Sequence, residues 1–358
     1  MNLSELKTLL ISAKNEFNNM LCLNRSKKIK YEDRQYFDLI AFSSLWNAAG
    51  EDSSKIMNVI DDVPSGDALM QQLQKLDLEL VEEQFDKVFE HQFKKVFKKK
   101  KKPNAIAIID VHEQETYSKE KRTSEDIRGG KHKNGTNFFF HFATIQILAK
   151  NKILTLKVKL YRRQQSLKKI VEELVRQTQK YVKIKVLLLD RGFRNVKIVN
   201  ELEYLQVPIL MPCVKDEKTR KELTKLDKNK KIIKWWFKNT KGEFADVKLV
   251  MIKFSDDKEI GFYTTIPFAR LKTAKYFLNL YKKRWNIETG YRLQNQLLAR
   301  TTCIKGIVRY FYFCYAVAMH NLWLCIKCEI GKTILFTVNK MKFILVYFWI
   351  TTHLNPEL

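Results

Sequence analysis

The pattern of hydrophobic and polar residues changes character near residue 100. Before that point apolar side chains recur every three or four positions, as in ELKTLLISAKNEF and ALMQQLQKLDLELVEEQFDKVF. This spacing predicts amphipathic helices. Pro64-Ser65-Gly66 interrupts the pattern, and Ser65 or Asp67 is placed to cap the helix that follows. The N-terminal part is therefore predicted to be all-α.

A run of five lysines followed by a proline, VFKKKKKPN, ends this helical part. Such a hydrophilic stretch is typical of a hinge, so we place a domain boundary near residue 102. The expected domains are 1–102, for DNA binding or dimerisation, and 103–358. The lysine run is either a solvated linker or a linker that lies along phosphates.

Short apolar runs then replace the helical period. AIAIID ends at Asp110 and KIKVLLLD ends at Asp190, and both read as buried strands. A polar loop is expected from Asp110 to Asn137, followed by two strands in a hairpin around the turn KNK. Two amphipathic helices and the strand VPILMP complete the series. Helices that alternate with strands in this way predict an α/β fold with a mixed sheet.

The composition shifts again between residues 214 and 265. A highly charged stretch precedes residues that read as antiparallel strands with a turn at Asn239–Gly242. We interpret 214–265 as a β insertion into the α/β domain. From 271 to about 300 the pattern predicts one continuous helix. The apolar stretch 307–326 has the length of a membrane span, but its polar residues and scattered aromatics favour a buried core helix.

Charge points to a polyanionic partner. Lysine and arginine number 66 against 39 acids, which gives a net charge of +27. Nucleic acid is the usual partner of such a chain, although a lysine-rich genome would produce the same bias. Six irregularly spaced cysteines favour a reducing compartment, and no signal peptide is recognisable at the N-terminus. We expect a cytoplasmic, nucleoid-associated protein that does not enter membranes.

Three carboxylates are the candidate catalytic residues. Asp110 and Asp190 each end an apolar strand, and active sites of open α/β sheets form beyond those strand ends. Strand-end aspartates also cap turns, so this simpler interpretation stays open. Glu288 is the only acid between Glu259 and Glu329 and lies among lysines and arginines. It is either a metal ligand beside phosphate-binding cations or an ordinary surface ion pair.

The predicted helix 271–300 places polar residues on one face. Their spacing of three, four and seven positions matches one side of a helix, and they are Tyr281, Arg284, Glu288, Tyr291, Arg292 and Asn295. Three carboxylates without a cysteine and histidine set favour Mg²⁺ or Mn²⁺. Two such ions suit in-line phosphoryl transfer.

These residues resemble a known family. The strand order, with an acid after the first strand and another after the fourth, is similar to the RNase H-like fold. LLLDRGFRNVKIVNEL resembles the second-aspartate motif of the DDE transposases of bacterial and archaeal insertion sequences. The spacing Tyr281-x2-Arg284-x3-Glu288 resembles their Y-x2-R-x3-E signature, most closely in the large cut-and-paste family numbered four. The similarity covers roughly 105–325.

The resemblance implies a role for each matching residue. Asp110, Asp190 and Glu288 would bind the divalent metals as the catalytic triad, and Tyr281 and Arg284 would contact phosphates at the transposon end. The family signature also places a lysine seven positions after the glutamate. Here that position is Asn295, which carries no charge. Arg292, one turn earlier, is the expected substitute.

Other site assignments have two interpretations each. The pair Trp235-Trp236 would stack on a flipped base at the transposon end, or would pack in the core. Arg191 would hold the carboxylate of Asp190 or touch DNA. His112 would be a site residue or would lie in a surface loop, and we expect the surface loop.

The resemblance implies an enzyme that cleaves DNA at transposon ends and transfers the strand into target DNA. Its partners would be the inverted repeats and the target duplex, gripped by a homodimer. Three alternatives stay open: an RNase H-like nuclease or resolvase, a decayed transposase that only binds DNA, and a membrane protein that uses 307–350.

Overall fold

The computed structural model describes residues 3–23, 30–98, 102–149, 152–226, 230–255, 258–330 and 336–354. The N-terminal part is helical, as the periodicity predicts. Ser65 caps the fourth helix by accepting a hydrogen bond from the amide of Ala68. Asp77 caps the fifth by accepting from Glu79 and Leu80. The helices are α1 (Leu3–Asn18), α2 (Asp33–Trp46), α3 (Gly50–Met57), α4 (Gly66–Gln74) and α5 (Leu78–Phe97).

A mixed sheet follows, with nine strands in the described residues. The strands are β1 (Asn104–Glu115), β2 (Ile127–Lys133), β3 (Thr136–Ala149), β4 (Lys152–Leu160), β5 (Lys183–Leu188), β6 (Ile209–Pro212), β7 (Lys230–Lys238), β8 (Phe244–Ser255) and β9 (Lys258–Thr264). Their order in the sheet is β2-β3-β1-β5-β6-β9-β8-β7, and β4 also pairs with β3. The pairs β1–β5 and β5–β6 are parallel and the others are antiparallel.

Helices cover both faces of this sheet. Those of the second part are α6 (Leu167–Gln179), α7 (Val196–Tyr204), α8 (Glu217–Thr224), α9 (Ala274–Lys282), α10 (Trp285–Asn295), α11 (Gly306–Ile330) and α12 (Val338–Leu354). The series β1-β3-β4-α6-β5-α7-β6 has the order that the sequence predicts and is consistent with an RNase H-like core. The region 214–265 contains α8 and the strands β7 to β9, which extend the sheet beyond β6. Its status as an insertion stays a prediction.

Three local expectations were wrong. β1 does not end at Asp110 but continues to Glu115, because it keeps its pairing with β3 as far as Glu115↔Phe139. The loop expected up to Asn137 contains β2. The single helix expected over 271–300 is two helices, α9 and α10, separated by a turn at residues 283 and 284. The last difference changes how the signature residues reach the site.

The apolar helix α11 is the centre of the larger core. Nearly all of its first 21 residues are buried, and α1, α5, α12 and β4 pack around it. Tyr315 donates a hydrogen bond to the side chain of Asn18, and Gln92 donates to the carbonyl oxygen of Ala318. The N-terminal helices and the sheet therefore share one hydrophobic core.

Two further expectations from the sequence concern the domain boundary and membrane-spanning helices. The domain boundary near 102 stays a prediction, and residues 99–101 of the lysine run lie outside the described residues. Among the helices that the structure describes, none combines the length and the hydropathy needed to cross a membrane.

Candidate active site

Strand pairing brings the two aspartates together. Ile108 of β1 and Leu188 of β5 are partners in a parallel ladder, and each is followed two positions later by an aspartate. Parallel strands end at the same edge of a sheet, so Asp110 and Asp190 are neighbours although 80 positions separate them. The apolar residues before each acid are buried and hold both strands in the core.

Asp190 has a structural and a site-facing oxygen. Its Oδ1 accepts a hydrogen bond of 2.7 Å from the amide of Gly192 and caps a short 3-10 turn, Arg191–Phe193. Its Oδ2 lies 3.9 Å from a guanidinium nitrogen of Arg284. The turn-capping interpretation of this aspartate is therefore correct for Oδ1, while Oδ2 faces Arg284 and its role as a metal ligand stays a prediction.

Arg284 lies among all three carboxylates. One of its terminal nitrogens is 3.5 Å from Asp110 Oδ1, and the other is 3.5 Å from Glu288 Oε1. Only 13% of its side chain is exposed. The turn between α9 and α10 directs this side chain at the sheet edge, while Glu288 follows in the first turn of α10. Three elements thus converge on one positive charge.

Burial and a neighbouring negative charge both raise the pKa of Asp110. Burial of its side chain raises the pKa of Asp110 to about 6, with the nearby negative charge of Asp190 contributing in the same direction. The guanidinium of Arg284 opposes both effects. Removal of this cation would leave the carboxylates facing one another, which is the electrostatic situation that a bound cation relieves.

The donor set suits a hard divalent cation. Carboxylate oxygens are the ligands that Mg²⁺ and Mn²⁺ prefer, and the three acids already surround one cationic group. In the arrangement observed, no cluster of three or more His, Cys, Asp or Glu among the described residues is set to hold a metal ion. The guanidinium stands between the acids, so it must move for these residues to share a metal.

Beside the acids lies an open groove of about 530 Å³. Asp190 and Glu288 form part of its wall together with aromatic and basic side chains. Basic and aromatic members of this wall include Arg191, Lys215, Tyr281 and Trp285. The groove therefore places cations and aromatic rings next to two of the three carboxylates, as a phosphate chain with bases would require.

The signature residues differ in position. Tyr281 lines the groove, and its ring packs against Phe262 with centroids 5.2 Å apart. Arg292 and Asn295 are exposed on α10, at and beyond its third turn, and neither lines the groove. Tyr291 turns inward instead, and its hydroxyl hydrogen-bonds Thr144 at 2.6 Å.

The remaining candidates divide between the groove and the far edge of the sheet. Arg191 is exposed and lines the groove beside Asp190, and its contact with that carboxylate or with DNA stays a prediction. Trp235 and Trp236 lie on β7, at the far edge of the sheet and outside the groove lining. Trp235 is half-buried against the smaller core and Trp236 is 60% exposed. Their proposed contact with a flipped base stays a prediction.

His112 corrects the surface-loop expectation. It lies on β1 with its ring between those of Tyr291 and Phe313, at centroid distances of 5.0 and 5.2 Å. Burial lowers its pKa to about 4, so the imidazole is neutral near pH 7.

Sequence reasoning missed Trp285 and Lys215 in the groove. Trp285 follows Arg284 directly and leaves 66% of its side chain exposed. The presence of a tryptophan directly after Arg284 in the signature segment is the sequence signal that could have identified it. Lys215 had no such signal, because it reaches the groove only through the path of the chain after β6.

Residues 101–322 match the family model of the transposase DDE domain. The match covers more than half of the chain and contains Asp110, Asp190 and Glu288. The chain belongs to this transposase family. A search of curated proteins finds no match. Membership implies in general a DNA-cleaving enzyme that depends on divalent metal ions.

Proposed function

We propose that this transposase moves its element by a cut-and-paste mechanism. It would hydrolyse a phosphodiester at each transposon end, and the freed 3′-hydroxyl would then attack a phosphodiester of target DNA. The observation that carries the proposal is the convergence of Asp110, Asp190 and Glu288 on Arg284, from two strands and a helix. Only the fold brings these residues together.

Asp110, Asp190 and Glu288 would hold Mg²⁺ or Mn²⁺. Two such ions, when bound, would activate the attacking oxygen and stabilise the leaving oxygen. Asp110 is largely buried and Asp190 is fixed by its bond to Gly192, so both offer oxygens in defined positions. Glu288 has a side chain that is 57% exposed, and it can adjust its position as the site fills.

The cations of the groove would hold the DNA backbone. Arg191 and Lys215 face the groove beside Asp190 and carry charges that phosphates attract. Arg284 would exchange its carboxylate partners for a phosphate of the cleaved strand. Tyr281, at the groove wall, would contact the same backbone through its hydroxyl. Arg292 and Asn295 lie farther along α10 and would meet the duplex beyond the groove.

Cut-and-paste transposition requires two transposon ends at once. The chain presents one set of three carboxylates among its described residues, so a homodimer on DNA would supply the second. The net charge of +27 suits a complex that holds the inverted repeats and a target duplex together.

A strand-transfer assay tests this function. Linear DNA that ends in the inverted repeats found beside the gene is incubated with target plasmid and Mg²⁺. The proposal expects a joined product, and none with Asp190→Asn. Cleavage without joining would instead indicate a nuclease of the same fold. Binding without cleavage would indicate a protein that has lost its chemistry, for which Asn295 would be the first position to restore to lysine.

A further inference from the structure

The segment between Asp110 and β3 forms a two-stranded ribbon that the catalytic site does not use. β2 pairs with the first residues of β3 from Ile127↔Phe140 to Gly129↔Phe138 and again at Lys133↔Thr136, with an irregular register between Gly129 and Lys133 that contains Lys131. Asn134 and Gly135 connect the strands, both with positive φ angles of 49° and 80°. This is the turn geometry that Asn-Gly favours between twisted antiparallel strands.

The ribbon extends from the catalytic edge of the sheet. β1 continues past Asp110 along β3, and Asp110 pairs with Thr144, eight residues from Thr136 at the ribbon turn. At about 3.4 Å per strand residue the turn lies about 27 Å from the acids. Duplex DNA rises about 3.4 Å per base pair, so the ribbon tip is about eight base pairs from the scissile phosphate along a duplex parallel to β3.

The cations of the ribbon fall into two classes. Arg128 is anchored, because its guanidinium donates to the carbonyl oxygens of Arg162 and Arg163 and lies 3.8 Å from the ring centroid of Tyr161. Lys131 is exposed. Lys133 is 56% exposed and lies 3.6 Å from Glu115, a solvent-accessible pair that stabilises the fold little.

The surface of the ribbon also allows a DNA backbone to come close. Residues 127–138 contain no acid, and positions 129–135 are all exposed. Gly129 has open space around an added Cβ, so nothing in the fold requires glycine there. A missing side chain at an exposed strand position lets another molecule come close. Lys119 and Arg122, on the 3-10 turn beside β2, add two exposed cations.

A brace holds the tip in place. Tyr117 donates a hydrogen bond of 2.7 Å to the carbonyl oxygen of Asn134, while its ring is 65% exposed. Thr136 donates to the carbonyl oxygen of Thr116 at the base of the turn. A braced tip loses little conformational freedom on binding, which favours a recognition role over a mobile loop.

We propose that the β2–β3 ribbon is a duplex-DNA contact, in which Lys131 and Lys133 bind phosphates about eight base pairs from the site of cleavage. A two-stranded ribbon fits the major groove of B-DNA. The proposal rests on the proposed function, since it assumes that DNA lies at the catalytic edge. It adds a surface that the signature motifs do not contain.

The salt dependence of DNA binding tests the ribbon. Fluorescence anisotropy measures the affinity for a labelled random-sequence duplex of about 30 base pairs, without divalent metal, over a series of KCl concentrations. Each phosphate contact contributes about 0.9 to the slope of log K against log salt. The double variant Lys131→Ala/Lys133→Ala should lower that slope by nearly 2 and weaken binding roughly tenfold at low salt.

The matched control is Lys183→Ala/Lys185→Ala, which removes the same charge from exposed positions at the opposite end of the sheet. It should leave the slope near that of the unaltered protein. An unchanged slope in the ribbon variant, or equal losses in both variants, would overturn the ribbon contact while DNA binding itself stands. No binding by the unaltered protein at any salt would instead remove the premise of the proposed function.

Discussion

Arg284 is the central residue of the candidate site. It reaches Asp110, Asp190 and Glu288 at 3.5 to 3.9 Å, although Asp110 lies 174 positions away. These distances are long for charge-assisted hydrogen bonds, so the guanidinium neutralises the acids without holding each one tightly. The same side chain can therefore leave them for a phosphate.

We predict that Arg284 and a divalent metal ion compete for the three carboxylates. Arg284→Ala should bind Mn²⁺ about tenfold more tightly than the unaltered protein when calorimetry is performed without DNA, because one competing positive charge is gone. Cleavage by this variant should fall, since a phosphate contact is lost as well.

Arg292→Ala is the matched control for that measurement. It removes an arginine from the same part of the chain, but Arg292 is exposed and lies outside the groove lining. Its Mn²⁺ affinity should stay near that of the unaltered protein. Equal or weaker Mn²⁺ binding by Arg284→Ala would contradict the competition.

Helix α10, which carries Glu288, is held against the sheet by polar contacts. Tyr291, one turn after Glu288, hydrogen-bonds Thr144, which is the β3 partner of Asp110. Gly290 lies against the side chain of Gln146, and an added Cβ would stand 3.1 Å from its amide nitrogen. Gln294, also on α10, donates a buried hydrogen bond of 3.2 Å to the hydroxyl of Thr155 on β4. These hydrogen bonds and the close packing at Gly290 set the position of Glu288 relative to the sheet.

A double-mutant cycle measures this docking. Tyr291→Phe and Thr144→Val should each lower the free energy of unfolding by about 1–2 kcal/mol, because each leaves a buried hydroxyl without its partner. The double variant should lose less than the sum, with a coupling of about 1 kcal/mol in denaturant titrations. Strict additivity would show that the two hydroxyls do not stabilise the interface.

The whole molecule is organised around α11 and its shared core. Burial there leaves His320 4% exposed, with no hydrogen-bond partner for Nδ1 among the described residues. Burial lowers the pKa of His320 to about 4, against about 6.5 in an unfolded chain. The unfolded protein therefore binds the proton first as the pH falls.

The free energy of unfolding should depend on pH because the pKa of His320 differs between the folded and unfolded protein. The contribution of His320 is complete above pH 6.5 and is lost as the pH falls towards 4, to a total of at most about 3 kcal/mol. His320→Leu should therefore flatten the fall in stability between pH 7 and pH 5 in denaturant titrations. His132→Leu, at an exposed position, is the control. The same slope in both variants would contradict the burial argument.

The sequence predicted the parts of the fold that repeat a simple pattern. Apolar strands before Asp110 and Asp190 and the alternation with helices indicated a mixed sheet, and the parallel strands bring those acids to one edge. It did not predict β2, because a strand of glycines and lysines has no apolar alternation. The Asn134-Gly135 pair was the signal available for that hairpin. The central position of Arg284 depends on how α10 packs against β1, a long-range contact that periodicity does not show.

The proposal that Asp190 is a metal ligand needed for DNA cleavage is tested by the Asp190→Asn variant. Asparagine keeps the oxygen that accepts from the Gly192 amide but loses the charge that a metal needs. The control is Asp216→Asn, which alters a helix-capping aspartate beside Arg194 outside the groove. With Mg²⁺ and DNA bearing the inverted repeats, Asp190→Asn is expected to bind DNA normally without cleaving it, while Asp216→Asn should cleave. Cleavage by Asp190→Asn at the rate of the unaltered protein would contradict the role of Asp190 as a metal ligand.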